Sequence, residues 1–558
     1  MLRKTLTAAA PLLLIILIPV LLRDTAVLNP SGTDQLVIVT PHNEAIRYEF
    51  ERAFQRFAKT RLGRDIDIDW RTPGGTSEIV RYVRSAYTAN FRHWWTSQGK
   101  PWGATTQAAF LDRKLTAASA PSNAWAARQA FLQSDVSIGV DLLFGGGEFD
   151  ARSLASEGIL VPCGFRTRHP DLFTGDEPCL TRQVSGETWY DTDDRYYGTC
   201  LAAFGICYNM DRLNEIHPGG ATPTQWNDLG EPWFLGQIGV ADPSKSGSIN
   251  KCFEMLIQQQ MARTARTCQA GTEAVPLGKD TEGLDRGWHN AMLLIRRISA
   301  NARYFTFAAG RVPVDVSQGD AAAGMCIDFY GRAQAEWAQA ETDREIMRYI
   351  TPPGGSSISA DPIALFRGAP HAEAAKAFID FVLSREGQQL WNYRPGTPGG
   401  PEHYALRRLP IRRDLYTPAD KANMSDPNAE PFVLAGQFAY QAPWTGRLFG
   451  LIRVLIRVMA IDCHPELREA WQAIIANGGP ERLPDAMASL GKLPFAHHEA
   501  EAVAAELRDP KKQILLTRAW AEFFRAAYVD ARDLAANGPL TATQQADAAT
   551  PDRRDQRL

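Results

Sequence analysis

The feature that most constrains the fold is a repeated order of short apolar segments, tight turns and segments with helical periodicity. Gln35–Thr40 is apolar and β-branched, and residues 44–61 then carry apolar side chains at helical spacing. Val136–Phe144 is likewise followed by a glycine turn and by a helical segment that begins near Phe149. Strands that alternate with helices in this way favour a mainly parallel sheet. The sequence therefore predicts an α/β fold.

A segment in the middle of the chain does not follow this order. Tyr197–Asn209 (YGTCLAAFGICYN) is apolar, lacks helical periodicity and is 13 residues long, which is longer than most strands of a single sheet. We interpret it as a strand that crosses between two sheets. A chain of 558 residues is also too long for one core, so more than one domain is expected.

Charge and motifs narrow the classes of function. The chain has 60 Lys and Arg against 63 Asp and Glu, a net charge of −3, which argues against a nucleic-acid-binding surface. The sequence contains no G-x-S-x-G motif, no P-loop, no C-x-x-C motif and no H-E-x-x-H motif. We therefore expect no enzymatic activity, no cofactor and no metal site, although catalytic groups that meet only in space leave no such motif.

The first residues bear on the compartment. Arg3 and Lys4 precede an apolar run from Leu6 to Leu22, a pattern typical of a signal peptide and just long enough for a membrane anchor. Residues 1–33 are thus predicted to be a signal peptide or an N-terminal anchor with a linker. In both cases the remaining chain lies outside the cytoplasm.

The eight cysteines suit an oxidising compartment. Cys163 and Cys179 are 16 residues apart, as are Cys252 and Cys268, and both pairs bracket polar or Pro/Gly/Thr-rich segments. Each pair is a possible disulfide that would close a local loop and contribute about 3 kcal/mol.

The C-terminal part differs in character from the rest. Residues 441–538 are predicted to be largely helical, and residues 539–558 to be a disordered tail, because they are nearly devoid of apolar side chains. Leu448–Met459 is almost wholly apolar but contains Arg453 and Arg457. These charges and the short length favour a core or groove helix over a transmembrane one.

Taken together, several segments resemble the type 2 periplasmic solute-binding proteins of ABC importers, in the branch that contains binders of ferric iron, thiamine, phosphonates and hexose phosphates. The resemblance covers about residues 34–415, and the helical residues beyond 441 have no place in the family pattern. The segments that carry it, besides the first strand and helix, are Asp141–Pro162, Tyr197–Asn209, Ile238–Ser248, Val314–Tyr330 and Asp361–Trp391.

The resemblance implies two α/β lobes, joined by hinge strands, that hold a ligand in the cleft between them. Tyr197–Asn209 matches one hinge crossing and Cys326–Tyr330 a second. The implied division is lobe 1 at 34–203 with a return segment at about 328–360, lobe 2 at 204–327 with about 361–440, and a helical extension at 441–538.

Two loops are candidate anion sites, because each precedes a helix. Free backbone N–H groups and the positive end of the helix dipole favour phosphate or carboxylate there. The alternative is that the Ser and Thr side chains only cap the helices. The candidate residues are Gly75, Thr76 and Ser77 in lobe 1 and Ser244, Ser246, Gly247 and Ser248 in lobe 2.

Other candidates follow the family's ligand loops. Asn43 and Glu44 come directly after the first strand, where Asn43 could equally be a helix cap, and Gly146 follows a later strand. The resemblance also points to Asp328 and Tyr330. Ferric-binding relatives carry two adjacent tyrosines there, whereas here Phe329 precedes Tyr330. Ferric iron is therefore less favoured, and Asp328 either accepts hydrogen bonds from a ligand or stabilises the hinge.

These features predict a periplasmic protein that captures a small anionic solute and delivers it to an ABC importer permease. The two loops favour an organophosphate such as a phosphonate or a sugar phosphate. Thiamine and ferric iron are alternatives within the same family. A membrane-anchored sensor that keeps the two-lobed fold is an alternative from another class, suggested by the N-terminal segment and the C-terminal helices.

Overall fold

A computed structural model describes residues 34–119, 121–268 and 280–538. The predicted leader or anchor at 1–33 and the predicted tail at 539–558 lie outside these residues. Within the described ranges, no helix is both long enough and apolar enough to cross a membrane.

The strands form two large sheets and one small hairpin. The first sheet has seven strands in the order β14-β7-β13-β3-β1-β2, with β4 beside β13, and the second has five in the order β10-β9-β11-β8-β12. The strands are β1 (Asp34–Val39), β2 (Ile66–Arg71), β3 (Leu142–Phe144), β4 (Leu160–Val161), β5 (Gln183–Val184), β6 (Glu187–Thr188), β7 (Tyr197–Ala202), β8 (Phe204–Asn209), β9 (Ile238–Ala241), β10 (Ala302–Thr306), β11 (Ala323–Ile327), β12 (Met347–Ile350), β13 (Ser359–Phe366) and β14 (Leu409–Pro410).

The helices cover both sheets and continue beyond them. They are α1 (Glu44–Phe57), α2 (Thr76–Ser97), α3 (Ala104–Ala109), α4 (Ser122–Gln133), α5 (Glu148–Glu157), α6 (Phe165–Arg168), α7 (Met210–Ile216), α8 (Gly247–Cys268), α9 (Thr281–Ala300), α10 (Arg311–Ser317), α11 (Asp328–Thr342), α12 (Ala372–Leu383), α13 (Arg385–Gln389), α14 (Pro418–Lys421), α15 (Pro431–Ala435), α16 (Ala442–Thr445), α17 (Phe449–Ile456), α18 (His464–Ala476), α19 (Pro484–Leu490), α20 (Ala500–Glu506) and α21 (Pro510–Ala536).

The α/β class is confirmed, but the sheets are mixed rather than mainly parallel. β1 runs parallel to β2 and β3, and β9 runs parallel to β10 and β11. The strands that cross between the sheets pair in the antiparallel sense, as β13 does with β3 and β7, and β8 with β11 and β12. The crossings therefore add antiparallel edges to two parallel cores.

The predicted crossing at Tyr197–Asn209 is confirmed. β7 belongs to the first sheet and β8 to the second, with only Ala203 between them. We call the part built on the seven-stranded sheet lobe 1 and the part built on the five-stranded sheet lobe 2.

The second crossing lies elsewhere than the sequence indicated. Cys326 and Ile327 end β11 in lobe 2, and residues 328–342 form α11 instead of leaving the lobe. The return passes between β12, which pairs with β8, and β13, which pairs with β7. The strand pairing therefore places 347–350 in lobe 2 and 359–366 in lobe 1, the reverse of the assignment inferred from the resemblance.

Lobe 1 buries apolar residues on both faces of its sheet. Side chains alternate between the two faces of a strand, so Leu36 and Ile38 of β1 pack in one cluster and Val37 and Val39 in another. Helix α1 covers the first face and α2 the second, each with its apolar stripe against the sheet. This packing fixes the first turns of both helices at the carboxyl ends of the strands.

The C-terminal extension, residues 441–536, is helical as predicted and rests on lobe 2. Trp471 donates a hydrogen bond from Nε1 to Asn301 Oδ1 at 2.9 Å, and Trp288 of α9 packs against Phe495. Arg296 of α9 is buried and donates to the Leu490 carbonyl. The extension is thus part of the lobe 2 core.

Both predicted disulfides are wrong. Cys252 and Cys268 lie on the single helix α8, where 16 residues correspond to about 24 Å, far beyond the Cα separation of about 7 Å that a disulfide tolerates. Cys163 and Cys179 are free thiols. Cys163 lies in the lobe 1 core with Sγ 4.0 Å from Asp194 Oδ1, whereas the Cys179 carbonyl accepts a hydrogen bond from the Arg413 backbone N–H.

Candidate functional site

A cavity of about 140 Å³ lies between the lobes. Its walls come from the loops after β1 and β3 and the first turns of α2 and α5 in lobe 1, and from the first turns of α8 in lobe 2. Tyr440, directly before the C-terminal extension, and Gly446 and Phe449 within it also line the cavity. Polar loops that follow strands therefore meet in one place, the usual location of ligand sites in open α/β sheets.

The two candidate loops face each other across this cavity. A Cβ at Gly75 would lie 3.0 Å from the Lys245 backbone oxygen, and a Cβ at Gly247 would lie 3.9 Å from Thr76 Cβ. A Cβ at Gly146 would lie 3.0 Å from Thr76 Cγ2. The N-termini of α2, α5 and α8, helices of 22, 10 and 22 residues, therefore converge. Their dipoles direct positive ends toward one point.

The three helix ends differ in how they are capped. Ser246 Oγ accepts a hydrogen bond from the Ile249 N–H at 3.3 Å, so α8 has a side-chain cap. The N-cap residues of α2 and α5 are Gly75 and Gly147, which provide no side-chain acceptor. The first amides of these two lobe 1 helices are thus the ones open to an external acceptor.

The site contains a buried cation, Arg408, whose exposed fraction is 1%. Its Nη1 donates to Asp361 Oδ2 at 2.7 Å, and its guanidinium lies 4.5 Å from the centroid of the Phe329 ring. Among the described residues, Nε and Nη2 of Arg408 have no hydrogen-bond partner. A buried guanidinium with two unused donors favours an acceptor-rich ligand, because an unpaired buried donor is costly.

Asp361 and His42 complete the charged group around Arg408. His42 Nε2 lies 3.7 Å from Asp361 Oδ2. Burial lowers the pKa of His42, which favours the neutral imidazole. Burial opposes ionisation of Asp361, but the charge of Arg408 and the contact with His42 outweigh it and lower the pKa of Asp361. The group is therefore one carboxylate, one guanidinium and a neutral imidazole.

A second charged group lies on the lobe 2 side of the cavity. Lys251 Nζ contacts Glu187 Oε1 at 2.8 Å and Glu254 Oε2 at 2.9 Å. Burial opposes the charged form of Lys251, but the two carboxylates outweigh it and raise the pKa of Lys251 well above its ordinary value. This ammonium is surrounded by carboxylates of the protein itself.

Helix α5 brings two further carboxyl groups to the cavity. Glu148 accepts a hydrogen bond from the Tyr196 hydroxyl at 2.9 Å and lies 3.6 Å from Arg152 Nε. Burial raises the pKa of Glu148 and of Asp150, so both are easier to protonate than exposed carboxyls. The lining thus mixes charges, and Arg408 contributes to it two hydrogen-bond donors without a partner.

Residues 169–415 match the family model described as bacterial extracellular solute-binding protein. The matched region is 247 residues long, less than half of the chain. It includes both hinge crossings and all strands of lobe 2. It also includes Lys251 on α8, Asp361 on β13 and Arg408 directly before β14.

The curated proteins that are similar to this chain share low sequence identity with it, and each alignment covers only part of both proteins. An uncharacterized protein of Haemophilus influenzae is 22% identical over 248 residues, 44% of this chain and 59% of the relative. Phosphoglycerate transport regulatory protein PgtC of Salmonella typhimurium is 24% identical over 190 residues, 34% of this chain and 39% of the relative. This chain therefore spans less than two thirds of the length of either curated relative.

A solved structure with a similar outline is the periplasmic binding protein AfuA from Actinobacillus pleuropneumoniae, with exogenous fructose-6-phosphate bound. It is 15% identical to this chain. The superposition has a TM-score of 0.41 and covers 64% of this chain and 81% of AfuA.

Half of the residues predicted for the solute-binding site line the cavity. Asn43 does so while also capping α1, because its side chain accepts from the Ile46 N–H at 3.1 Å. The predicted residues in the lining are Asn43, Thr76, Gly146, Gly247, Ser248 and Tyr330.

The other predicted residues lie outside the lining and have local roles. Ser244 donates its N–H to Asp242 Oδ1 at 2.7 Å, and Ser246 caps α8. Asp328 is fully buried and lies 3.0 Å from Arg332 Nη2, while its N–H donates to the hinge carbonyl of Ala203. This agrees with the alternative that Asp328 stabilises the hinge. The residues outside the lining are Glu44, Gly75, Ser77, Ser244, Ser246 and Asp328.

Several functional candidates were missed from the sequence. Lys251 and Arg408 occur in ordinary-looking helical and Arg-rich segments, so no local pattern distinguishes them. Phe449 was missed as well, although Arg453 in the apolar run 448–459 had already indicated a groove helix. That signal was sufficient to predict a buried helix, but not which cleft it would enter.

Proposed function

We propose that this protein captures a small anionic solute, an organophosphate such as a phosphonate or a sugar phosphate, between its two lobes. It then delivers the solute to the permease of an ABC importer. The solute is bound without chemical change, and lobe closure around it is a shift of population toward the closed state. The observation that carries the proposal is the buried Arg408 guanidinium, with two unused donors in the interlobe cavity.

The helix ends support the same class of solute. Glycine N-caps leave the first amides of α2 and α5 without side-chain acceptors, and both helices begin at the cavity. Arginine and helix N-termini together are well matched to phosphate, which accepts several hydrogen bonds at once. A phosphate would also accept hydrogen bonds from the two Arg408 donors that Asp361 leaves unused. The name of the relative PgtC, which refers to phosphoglycerate, supports a phosphate-bearing solute as well.

The test is thermal stabilisation by matched pairs of compounds. We expect 3-phosphoglycerate, fructose 6-phosphate or 2-aminoethylphosphonate to raise the melting temperature, and glycerate or fructose to leave it unchanged. Binding adds RT ln(1 + [L]/Kd), about 2.7 kcal/mol at one hundred times Kd. Stabilisation only by thiamine or Fe³⁺, or equal stabilisation by glycerate and phosphoglycerate, would contradict the proposal.

Arg408→Lys tests the residue that carries the proposal. It keeps the positive charge but loses the forked donor geometry, so the Kd for the best phosphate compound should rise about tenfold or more. Arg348→Lys is the matched control, because Arg348 is half-exposed and paired with Glu345 in lobe 2. Equal affinities for the two variants would contradict the role of Arg408.

A sensory role is the second candidate, favoured by the regulatory function in the name of PgtC. In that case the two-lobed part reports solute binding from the membrane surface and does not deliver solute. N-terminal sequencing of the mature protein separates the candidates. An intact residue 1 in the membrane fraction favours the sensor, and a start near residues 24–34 favours the carrier.

A further inference from the structure

The C-terminal extension lines the interlobe cavity through Gly446 and Phe449, and it is hydrogen-bonded to helix α8 of lobe 2. Three polar side chains, Asn250, Glu254 and Gln258, recur every fourth residue along one face of α8 and are at most 1% exposed. Such spacing places them in one stripe. A buried polar stripe is costly unless every member is hydrogen-bonded.

The extension supplies these hydrogen bonds. Asn250 Nδ2 donates to the Phe449 carbonyl at 3.0 Å, and Gln258 Nε2 donates to the Gln441 carbonyl at 2.8 Å. Glu254 accepts from the Thr445 hydroxyl at 2.6 Å. Removal of the extension would leave Asn250 and Gln258 without these partners, so we expect residues 441–449 to move with lobe 2.

The same segment reaches lobe 1 by fewer contacts. Arg453 Nη1 donates to Ser77 Oγ, in the first turn of α2, at 2.9 Å. Arg152 Nη2 donates to the Gly446 carbonyl at 3.3 Å, and the rings of Phe149 and Phe449 lie 5.0 Å apart. These contacts join the extension to the two lobe 1 helices whose N-termini face the cavity.

We propose that the extension is a third wall of the solute site that is fixed to lobe 2 and clamps lobe 1 through Arg453. Tyr440, Gly446 and Phe449 form that wall. Arg453 is a positioning residue: it holds the first turn of α2 against lobe 2 through Ser77. The clamp makes the closed arrangement more populated, and it operates whatever the solute is.

The contacts of the extension to α8 and to lobe 1 differ in burial, and this difference determines which contacts break when the cleft opens. The bonds to α8 are buried, and breaking them would leave unpaired polar groups. The contacts to lobe 1 are one charge-assisted hydrogen bond, one long hydrogen bond and one ring contact. Opening the cleft therefore breaks the Arg453 side and keeps the α8 side.

The experiment measures the interlobe distance in the full chain with no solute added. Fluorescent non-canonical residues at Lys59 of lobe 1 and Glu215 of lobe 2, both exposed, avoid the native cysteines. Arg453→Ala should lower the ratio of closed to open molecules about tenfold or more, as expected for loss of a charge-assisted hydrogen bond. Ser77→Ala should act in the same direction, and the double variant should go no further than Arg453→Ala.

Arg457→Ala is the matched control, because Arg457 lies one turn further along and is paired with Asp462 inside the extension at 3.5 Å. Phe449→Leu, which keeps the extension apolar, should open the cleft less than Arg453→Ala. An unchanged distance in Arg453→Ala, an equal change in Arg457→Ala, or a wild-type protein that is wholly open would overturn the clamp. Because no solute is present, these outcomes are independent of the phosphate-binding test.

Discussion

The two sides of the cleft handle buried charge in opposite ways. On the lobe 1 side, Arg408 meets one carboxylate, Asp361, and keeps two donors unused. On the lobe 2 side, Lys251 meets two carboxylates, Glu187 and Glu254. Arg408 has more hydrogen-bond donors than the protein supplies with acceptors. The group around Lys251, in contrast, has two carboxylates for one ammonium. The comparison teaches that a buried cation marks an anion site through the hydrogen-bond donors that it leaves unused, not through its charge alone.

The largest expected effect comes from removing the carboxylate that pairs with Arg408. Asp361→Asn leaves the Arg408 charge buried without compensation, so the free energy of unfolding at pH 7 should fall by about 4 kcal/mol. Urea unfolding at pH 7 measures it. Asp211→Asn is the control, because Asp211 and its partner Arg344 are both exposed, and such pairs contribute about 0.5 kcal/mol.

The same substitution should also change the pH dependence of stability. The pKa of Asp361 is lowered in the folded protein from the ordinary value of 3.8, so the stabilisation by this group is complete above pH 3.8 and is lost as the pH falls through the folded-state pKa. The gap between wild type and Asp361→Asn should therefore close below pH 3.8. A gap that stays constant down to pH 2 would contradict the ion pair.

The next effect in size tests the lobe 2 group. Lys251→Met keeps the length of the side chain but leaves two carboxylates, Glu187 and Glu254, without their cation, both at most 5% exposed. We expect a loss of about 3 kcal/mol at pH 7. Urea unfolding at pH 7 checks it, and an unchanged free energy of unfolding would contradict the ion pairs of Lys251.

The smallest effect separates capping from solute binding in the lobe 2 loop. Ser246→Ala removes the cap of α8 and should cost about 1 kcal/mol in unfolding. Ser248 lines the cavity, whereas Ser246 does not. Ser248→Ala should therefore leave stability within about 0.5 kcal/mol but weaken binding of the best phosphate compound. Urea unfolding and titration calorimetry on both variants make the test. If Ser246→Ala weakened binding and Ser248→Ala reduced stability, the solute would contact Ser246 instead of Ser248.

Much of the fold could be predicted, because it depends on local periodicity. The strand at 35–40, the helix at 44–57 and the crossing at 197–209 all follow from the spacing of apolar residues. The second crossing could not be predicted in this way, because the sequence at the end of β11 is compatible both with a strand that crosses to the other lobe and with a helix. The disulfides failed for a related reason: the residues between Cys252 and Cys268 form a helix rather than the loop that was assumed.

The candidate site divides along the same line. The loops that begin α2, α5 and α8 were identified because glycine and serine before a helix are a local pattern. Which of their residues line the cavity depended on the approach of the two lobes. Ser244 and Ser246 follow the pattern as well as Ser248 does, yet they are engaged within their own turn.

The sequence by itself determined the α/β class, the position of one hinge strand, the helical extension and the loops at the helix starts. Only the tertiary structure decided which charges meet. Arg408 pairs with Asp361 across 47 residues, and Arg453 bonds to Ser77 across 376. The physical reason is that periodicity records how each segment buries its own apolar face. A buried ion pair or an interlobe contact depends instead on how distant segments pack together. The sequence around one partner does not indicate where in the chain the other partner lies.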